Sequence, residues 1–161
     1  MNALSAHRPG GPPRKLLVLC TGNYYRSRYV EALFNFLAKR DGLYWIADSR
    51  GLDIDHTGLN AGPISLHTRE ALLREKIDAD LDRMPLDLTY GDLRASDMVV
   101  AVHEPHHRSL LESRFPGWSD RAVYWNVPDL DQATPDVALA RLRGLTESLA
   151  ADLLGRQSVA V

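Results

Sequence analysis

A single cysteine, Cys20, opens the stretch CTGNYYRS (20–27), and five residues separate it from Arg26. A thiol and a guanidinium at the two ends of one short loop can serve attack on an oxyanion. The thiolate is the nucleophile, and the planar fork of Arg26 can take two oxygens of a phosphate. The loop residues Thr21, Gly22, Asn23, Tyr24 and Tyr25 can turn their backbone N–H groups into one concavity. A helix starting at the far end adds partial positive charge and completes an anion cradle. The same field favours the thiolate of a cysteine at the loop's start. Gly22 allows a backbone angle that a side chain resists. Asn23 tolerates the left-handed region and can hold the loop through its amide. Ser27 can donate a hydrogen bond to the sulfur and ease its later departure. The competing reading is a buried cysteine at a strand end with an unrelated arginine downstream, since cysteines are usually buried.

The elements around the loop decide between the two. The run KLLVLC (15–20) is short, nearly all apolar and followed at once by the loop, which predicts a buried strand. The segments 44–49, 97–102 and 122–127 read the same way, with β-branched and aromatic content that favours strand. Helical spacing follows Arg26 at Val30, Leu33, Phe34, Leu37 and Ala38. Leu66, Leu73 and Ile77 mark a second apolar stripe, with Pro63 and Ser65 as start signals. A third helix is expected over 105–115, with Leu111 and Phe115 four apart. In the last, Thr134 can cap and Pro135 suits the first position, while Ala138, Leu142, Leu145, Leu149 and Leu153 share a face and Gly155 suits the stop. Strands alternating with helices predict an α/β fold with a parallel sheet and right-handed crossovers. Ligands bind such sheets beyond the carboxyl ends of the strands. The loops after Cys20, Val102 and Val127 then qualify, and the frame turns the reading of Cys20 from packing to chemistry.

Composition sets the outer bounds. The 161 residues suit one domain, read over 15–161, with Pro- and Gly-rich residues 1–14 as a flexible tail. Hydrophobic residues at 45% and charged residues at 25% match the soluble globular class. A net charge of −2 gives no global case for nucleic acid or a membrane surface. One cysteine excludes an internal disulfide framework and suggests a reducing compartment. The tail lacks the apolar stretch of a signal peptide, and the expected location is the cytoplasm.

With its strand–loop–helix frame, CTGNYYRS resembles the phosphate-binding loop of the low molecular weight protein tyrosine phosphatases, which share a fold with thiol-dependent arsenate reductases. The likeness runs over about 15–155 and includes DSRG (48–51), SDMVVAV (96–102) and an aspartate-bearing loop near the end. It implies a three-layer fold of flavodoxin-like form, a four-stranded parallel sheet flanked by helices. It also implies a phosphocysteine on the residue matching Cys20, with a phosphotyrosine protein or a small phosphomonoester as substrate and no cofactor.

A thiolate that cleaves a phosphate ester needs a proton for the leaving oxygen, so a carboxylic acid must reach the loop's mouth. The segment YWNVPDLDQATPD (124–136) follows the fourth strand and lies at the correct edge. In the family an Asp followed by Pro fills this role. Asp129 matches it best, although Leu130 stands where the family usually has Pro. Asp131 is the near alternative, and a bland reading lets both aspartates merely solubilise a helix start. The implied mechanism has two steps. Cys20 attacks phosphorus while Asp129 protonates the leaving group, and water activated by Asp129 then hydrolyses the phosphocysteine.

HEPHH (103–107) formally fits a His-Glu-x-x-His zinc motif, but Pro105 is tolerated only where a helix starts. That places His103 outside the helix, and no metal site is read there. His103 and His106 are expected at the site's edge, with no role for His56, His67 or His107. Arg28 replaces the family's usual Pro after the Arg-Ser pair, which suggests an acidic or larger substrate. The pocket-wall stretch SRGLDIDHTGLN (49–60) has no Phe, Tyr or Trp, so Tyr24 is left to bring a ring to the mouth. Two other functions stay open: an arsenate reductase fed by an external thiol, and a non-catalytic phosphate- or phosphopeptide-binding module.

The family often carries a second cysteine beside the arginine, a partner that can trap an oxidised nucleophile as a disulfide. Tyr25 stands there instead. Prolonged peroxide is therefore expected to drive Cys20 past the sulfenic stage without internal rescue. Full recovery of activity with dithiothreitol would refute this.

Overall fold

The computed structural model describes residues 10–54 and 60–159. Most of the predicted tail (1–9) lies outside them. Arg14 already belongs to the first strand, and the Tyr44 hydroxyl donates to the Gly11 carbonyl.

Four strands, β1 (Arg14–Cys20), β2 (Trp45–Gly51), β3 (Met98–Ala101) and β4 (Val123–Tyr124), form one parallel sheet in the order β2-β1-β3-β4. This is the flavodoxin-like order, and it reverses beside β1. Side chains alternate along β1. Leu16, Val18 and Cys20 join a core with α1 (Arg26–Asp41) and α5 (Pro135–Val159). Leu17 and Leu19 face a second core with Leu93 of α3 (Tyr90–Ala95) and Leu111 of α4 (Glu104–Arg114). Helices thus cover both faces, as three layers require. Among the described residues no helix is long and apolar enough to cross a membrane.

The predicted strands are all present, but β4 is shorter than 122–127. Its chain bends after Tyr124, and the amides of Trp125 and Val127 still donate to the carbonyls of Ala101 and Val102. Helix α3 went unpredicted, although Thr89 and Asp92 form a capping box at its start.

Two helix expectations are corrected. In α2 (Leu66–Arg74), Leu66 and Leu73 are 67% and 58% exposed, and the buried face is Thr68, Ala71 and Leu72. The Thr68 hydroxyl donates to the buried carbonyl of Tyr25 (2.9 Å), which turns this face toward α1. Gly155 does not stop α5, which runs on to Val159. Beyond it the Gln157 amide accepts from the Tyr44 N–H (2.8 Å) and donates to the Gly42 carbonyl (3.0 Å), so the last turn is held from outside.

The loop after Cys20 leans on the end of β2. The Leu52 and Asp53 amides donate to the carbonyls of Cys20 and Thr21, both at 2.9 Å. A Cβ on Gly51 would stand 3.0 Å from the Thr21 oxygen and 2.6 Å from Ile54 Cγ1. Gly51→Ala is therefore expected to destabilise the protein by about 1–3 kcal/mol in urea unfolding, with loss of activity as Thr21 is displaced.

Candidate active site

The loop 21–25 joins the end of β1 to the start of α1 at the sheet's carboxyl edge. Among the described residues, no protein group accepts a hydrogen bond from the backbone N–H groups of 22–27. The first N–H groups of a helix have no intrahelical acceptor, so these donors are available to an anion. Cys20 is buried at its base, and its sulfur lies 2.9 Å from Ser27 Oγ. Ser27 Oγ already accepts from Asn23 Nδ2 (3.1 Å), which leaves its own hydrogen for the sulfur.

Asn23 takes the left-handed conformation (φ 48°), as its residue type suggested. Gly22 does not, which corrects the reason given for a glycine there. A Cβ on Gly22 would meet the Asn60 side-chain nitrogen at 3.2 Å, a tight contact that Asn60 must yield to. The Asn23 amide is fully buried and uses every hydrogen-bonding position. Its nitrogen donates to Ser27 Oγ and to Ser49 Oγ (2.9 Å), and its oxygen accepts from Arg83 Nη1 (3.2 Å) and the Leu86 amide (2.9 Å). Ser49 Oγ in turn donates to Glu31 Oε1 (3.1 Å), which also pairs with Arg83 (3.2 Å). Burial pushes the Glu31 carboxyl up to about 7, against the pull of Arg83.

Arg26 is 2% exposed, with one arm donating to the Val127 carbonyl (2.8 Å) and the other to Asp129 Oδ2 (3.2 Å). The loop after β4 thus supplies both an anchor for the guanidinium and a carboxylate on its open side. A cavity of about 250 Å³ is bordered by Cys20, Tyr24, Tyr25, Arg26, Asp53 and Asp129. Asp131 instead lines a neighbouring cavity of about 540 Å³ with His103, His106 and Gln132. Asp129 borders both cavities, whereas Asp131 borders only the larger one. Volume does not single out the Cys20 cavity. A cleft of about 570 Å³ lined by Glu31, Asn35, Asp48 and Arg50 is larger but holds no thiol.

The two tyrosines differ. Tyr24 stands in the cavity wall, its hydroxyl donating to the Ala61 carbonyl (2.6 Å). Tyr25 is buried at the N-terminal boundary of α1, edge-on to His67 at 6.2 Å between centroids. Its hydroxyl has no partner among the described residues. Burial first, then the charge of Asp129, pushes this phenol up to about 12. The middle of the pocket-wall loop, 55–59 with His56, lies outside the described residues.

Arg28 does not face a substrate, which corrects that expectation. It is 2% exposed and points behind the loop. His107 also has a place that sequence reasoning missed. It is fully buried in the first turn of α4, below Thr21. Its Nδ1 accepts from the His103 amide (3.1 Å), so Nε2 carries the hydrogen and donates to Thr21 Oγ1 (3.1 Å). Both ring nitrogens are committed, which leaves none for a metal. His103 is the N-cap, outside α4, as Pro105 implied. Glu31, Arg83 and Ser49 were likewise missed. Arg83 lies in a stretch without periodicity, and no signal marked it.

Residues 15–130 match the family model of low molecular weight phosphotyrosine protein phosphatase, and the chain belongs to that family. A curated relative, a protein-arginine-phosphatase of Bacillus subtilis (strain 168), is 32% identical over 106 residues, 66% of each chain. Among solved structures, a low molecular weight protein tyrosine phosphatase from T. tengcongensis is similar at TM-score 0.73 and 28% identity, over 86% of this chain and 99% of that one. A mutant of YwlE from Bacillus subtilis is similar at TM-score 0.72 and 26% identity, over 87% and 98%.

Burial pushes the His107 imidazole down to about 2, so it stays neutral in the fold while an unfolded chain takes up a proton below about 6.5. The folded pKa is depressed, so its stabilising contribution is present above pH 6.5 and lost as pH falls toward 2. Between pH 6.5 and 4.5 the loss is about 2–3 kcal/mol. Urea unfolding at pH 7.5 and 4.5 is expected to show a pH difference smaller by that amount in His107→Gln than in the wild type.

Proposed function

We propose that this protein hydrolyses phosphorylated substrates through a phosphocysteine on Cys20, with Asp129 as general acid and then base. The observation that carries the reading is a buried thiol and Arg26 on one cavity, joined by a loop whose N–H groups at 22–27 have no acceptor among the described residues. In the first step the phosphoryl oxygens take the amides and the Arg26 fork, and the Asp129 carboxyl is freed toward the leaving atom. Cys20 Sγ bonds to phosphorus as the bond to the leaving oxygen breaks, and Asp129 gives that oxygen its proton. In the second step Asp129, now a carboxylate, takes a proton from water as its oxygen bonds to phosphorus. The S–P bond breaks, and the thiolate leaves against the Ser27 hydroxyl. The amides and Arg26 hold the equatorial oxygens throughout, which is electrostatic stabilisation fixed before reaction. An internal thiol relay for arsenate needs further cysteines, and the chain has one.

For the leaving group, the Tyr24 ring in the cavity wall supports an aryl phosphate such as phosphotyrosine. A second substrate class has its own support. The 32% identical relative is a protein-arginine-phosphatase, and Asp53 and Asp129 both border the cavity, where a guanidinium leaving group would meet negative charge. The ratio of kcat/KM for phosphotyrosine and phosphoarginine peptides decides between them.

With p-nitrophenyl phosphate, Cys20→Ser is expected to lose essentially all turnover, while Asp131→Ala keeps it. Asp129→Asn is expected to lower kcat by about 10²–10⁴-fold. Undiminished hydrolysis by Cys20→Ser would end the central claim, and impairment of Asp131→Ala alone would move the acid to Asp131.

A further inference from the structure

Arg28 is a buried cation with an unusual set of partners. Its Nη1 donates to the carbonyls of Asn23 (3.4 Å) and Pro63 (3.0 Å), and its Nη2 donates to that of Asp80 (3.3 Å). Among the described residues no carboxylate forms an ion pair with it, although buried charges are usually paired. Arg83 repels it, while Glu31, Asp80 and Cys20 attract it from further away. The three carbonyls belong to three segments: the anion loop, the approach to α2, and the turn before Arg83.

The bond to Asn23 matters most. A trans peptide is planar, so its C=O and the following N–H point in opposite directions. With the Asn23 oxygen turned back to Arg28, the Tyr24 N–H faces the other side of the loop, where the cradle lies. The bond to Pro63 fixes the wall beside it. There the Ser65 amide donates to the Tyr24 carbonyl (2.9 Å), and Ala61 takes the Tyr24 hydroxyl.

We propose that Arg28 is a positioning residue of the phosphate site. It aims the Tyr24 N–H at the bound anion by holding the Asn23 carbonyl on the far side of the loop. This rests on the reading of 20–27 as a phosphate-binding loop. It gives Arg28 a role in ground-state and transition-state binding without contact with the substrate.

The test titrates inorganic phosphate into the full chain, following the Tyr24 amide by ¹H–¹⁵N NMR and the overall Kd. In the wild type the Tyr24 amide is expected among the largest responders. A Tyr24 amide unmoved at saturating phosphate overturns the proposal without any variant. Arg28→Gln and Arg28→Met, each checked for wild-type circular dichroism, are expected to bind phosphate about tenfold or more weakly, the effect of losing a hydrogen bond to a charged group. Both are also expected to show a reduced Tyr24 response and a lower kcat with p-nitrophenyl phosphate. Wild-type affinity and a wild-type Tyr24 response in a folded variant overturn it. Failure of the wild type to bind phosphate at all removes the reading of the loop itself.

Discussion

A buried asparagine in a left-handed backbone conformation holds the site together. Asn23 has two N–H donors and an oxygen with two acceptor positions, and all four are occupied by Ser27, Ser49, Arg83 and Leu86. A non-glycine residue at φ 48° is strained, and four bonds from three segments over-determine it. The result is a loop held at its turn, with the N–H groups of 22–27 left without an acceptor among the described residues. Without these bonds the chain between β1 and α1 has little reason to keep its N–H groups away from nearer acceptors.

From Asn23 the bonding runs in two directions. Through Ser27 it reaches the Cys20 sulfur, and through Ser49 it reaches the Glu31–Arg83 pair. On the opposite flank, His107 supports Thr21 from below, with its tautomer set by the His103 amide. These supports stand on regular elements, Ser49 in β2, Glu31 in α1 and His107 in α4. The loop is thereby fixed by elements already anchored in the two cores, as precise placement of catalytic groups requires.

The sequence made the sheet and its site loops legible, because each has a local signature, whereas the choice of Asp129 over Asp131 leaned on the family resemblance. Apolar runs give strands, and strand–loop–helix order gives the anion loop. The supporting shell was not legible. Arg28 read as a substrate-selecting residue because its neighbours in sequence carry the chemistry, and only the fold brings the Pro63 and Asp80 carbonyls to it. The α2 stripe was misread by a rotation, since spacing cannot tell that Thr68 would find the Tyr25 carbonyl. His107 had no role in the sequence reading, and its two hydrogen bonds depend on the turn from β3 into α4. Gly155 carried a stop signal that Gln157 overrides from the far side of the chain.

The Asp129–Arg26 pair bears on how the site empties. An anion that takes Nη2 of this guanidinium competes with a carboxylate tethered to the same chain, 3.2 Å away. A tethered competitor acts at a high effective concentration that dilution cannot lower. It weakens every bound anion alike, the product as well as the substrate. Inorganic phosphate, which lacks the leaving group's contacts with the wall, feels the full competition with nothing to offset it. On the proposed mechanism, the carboxylate assigned the proton transfers is thus also the group that competes with bound phosphate for Arg26.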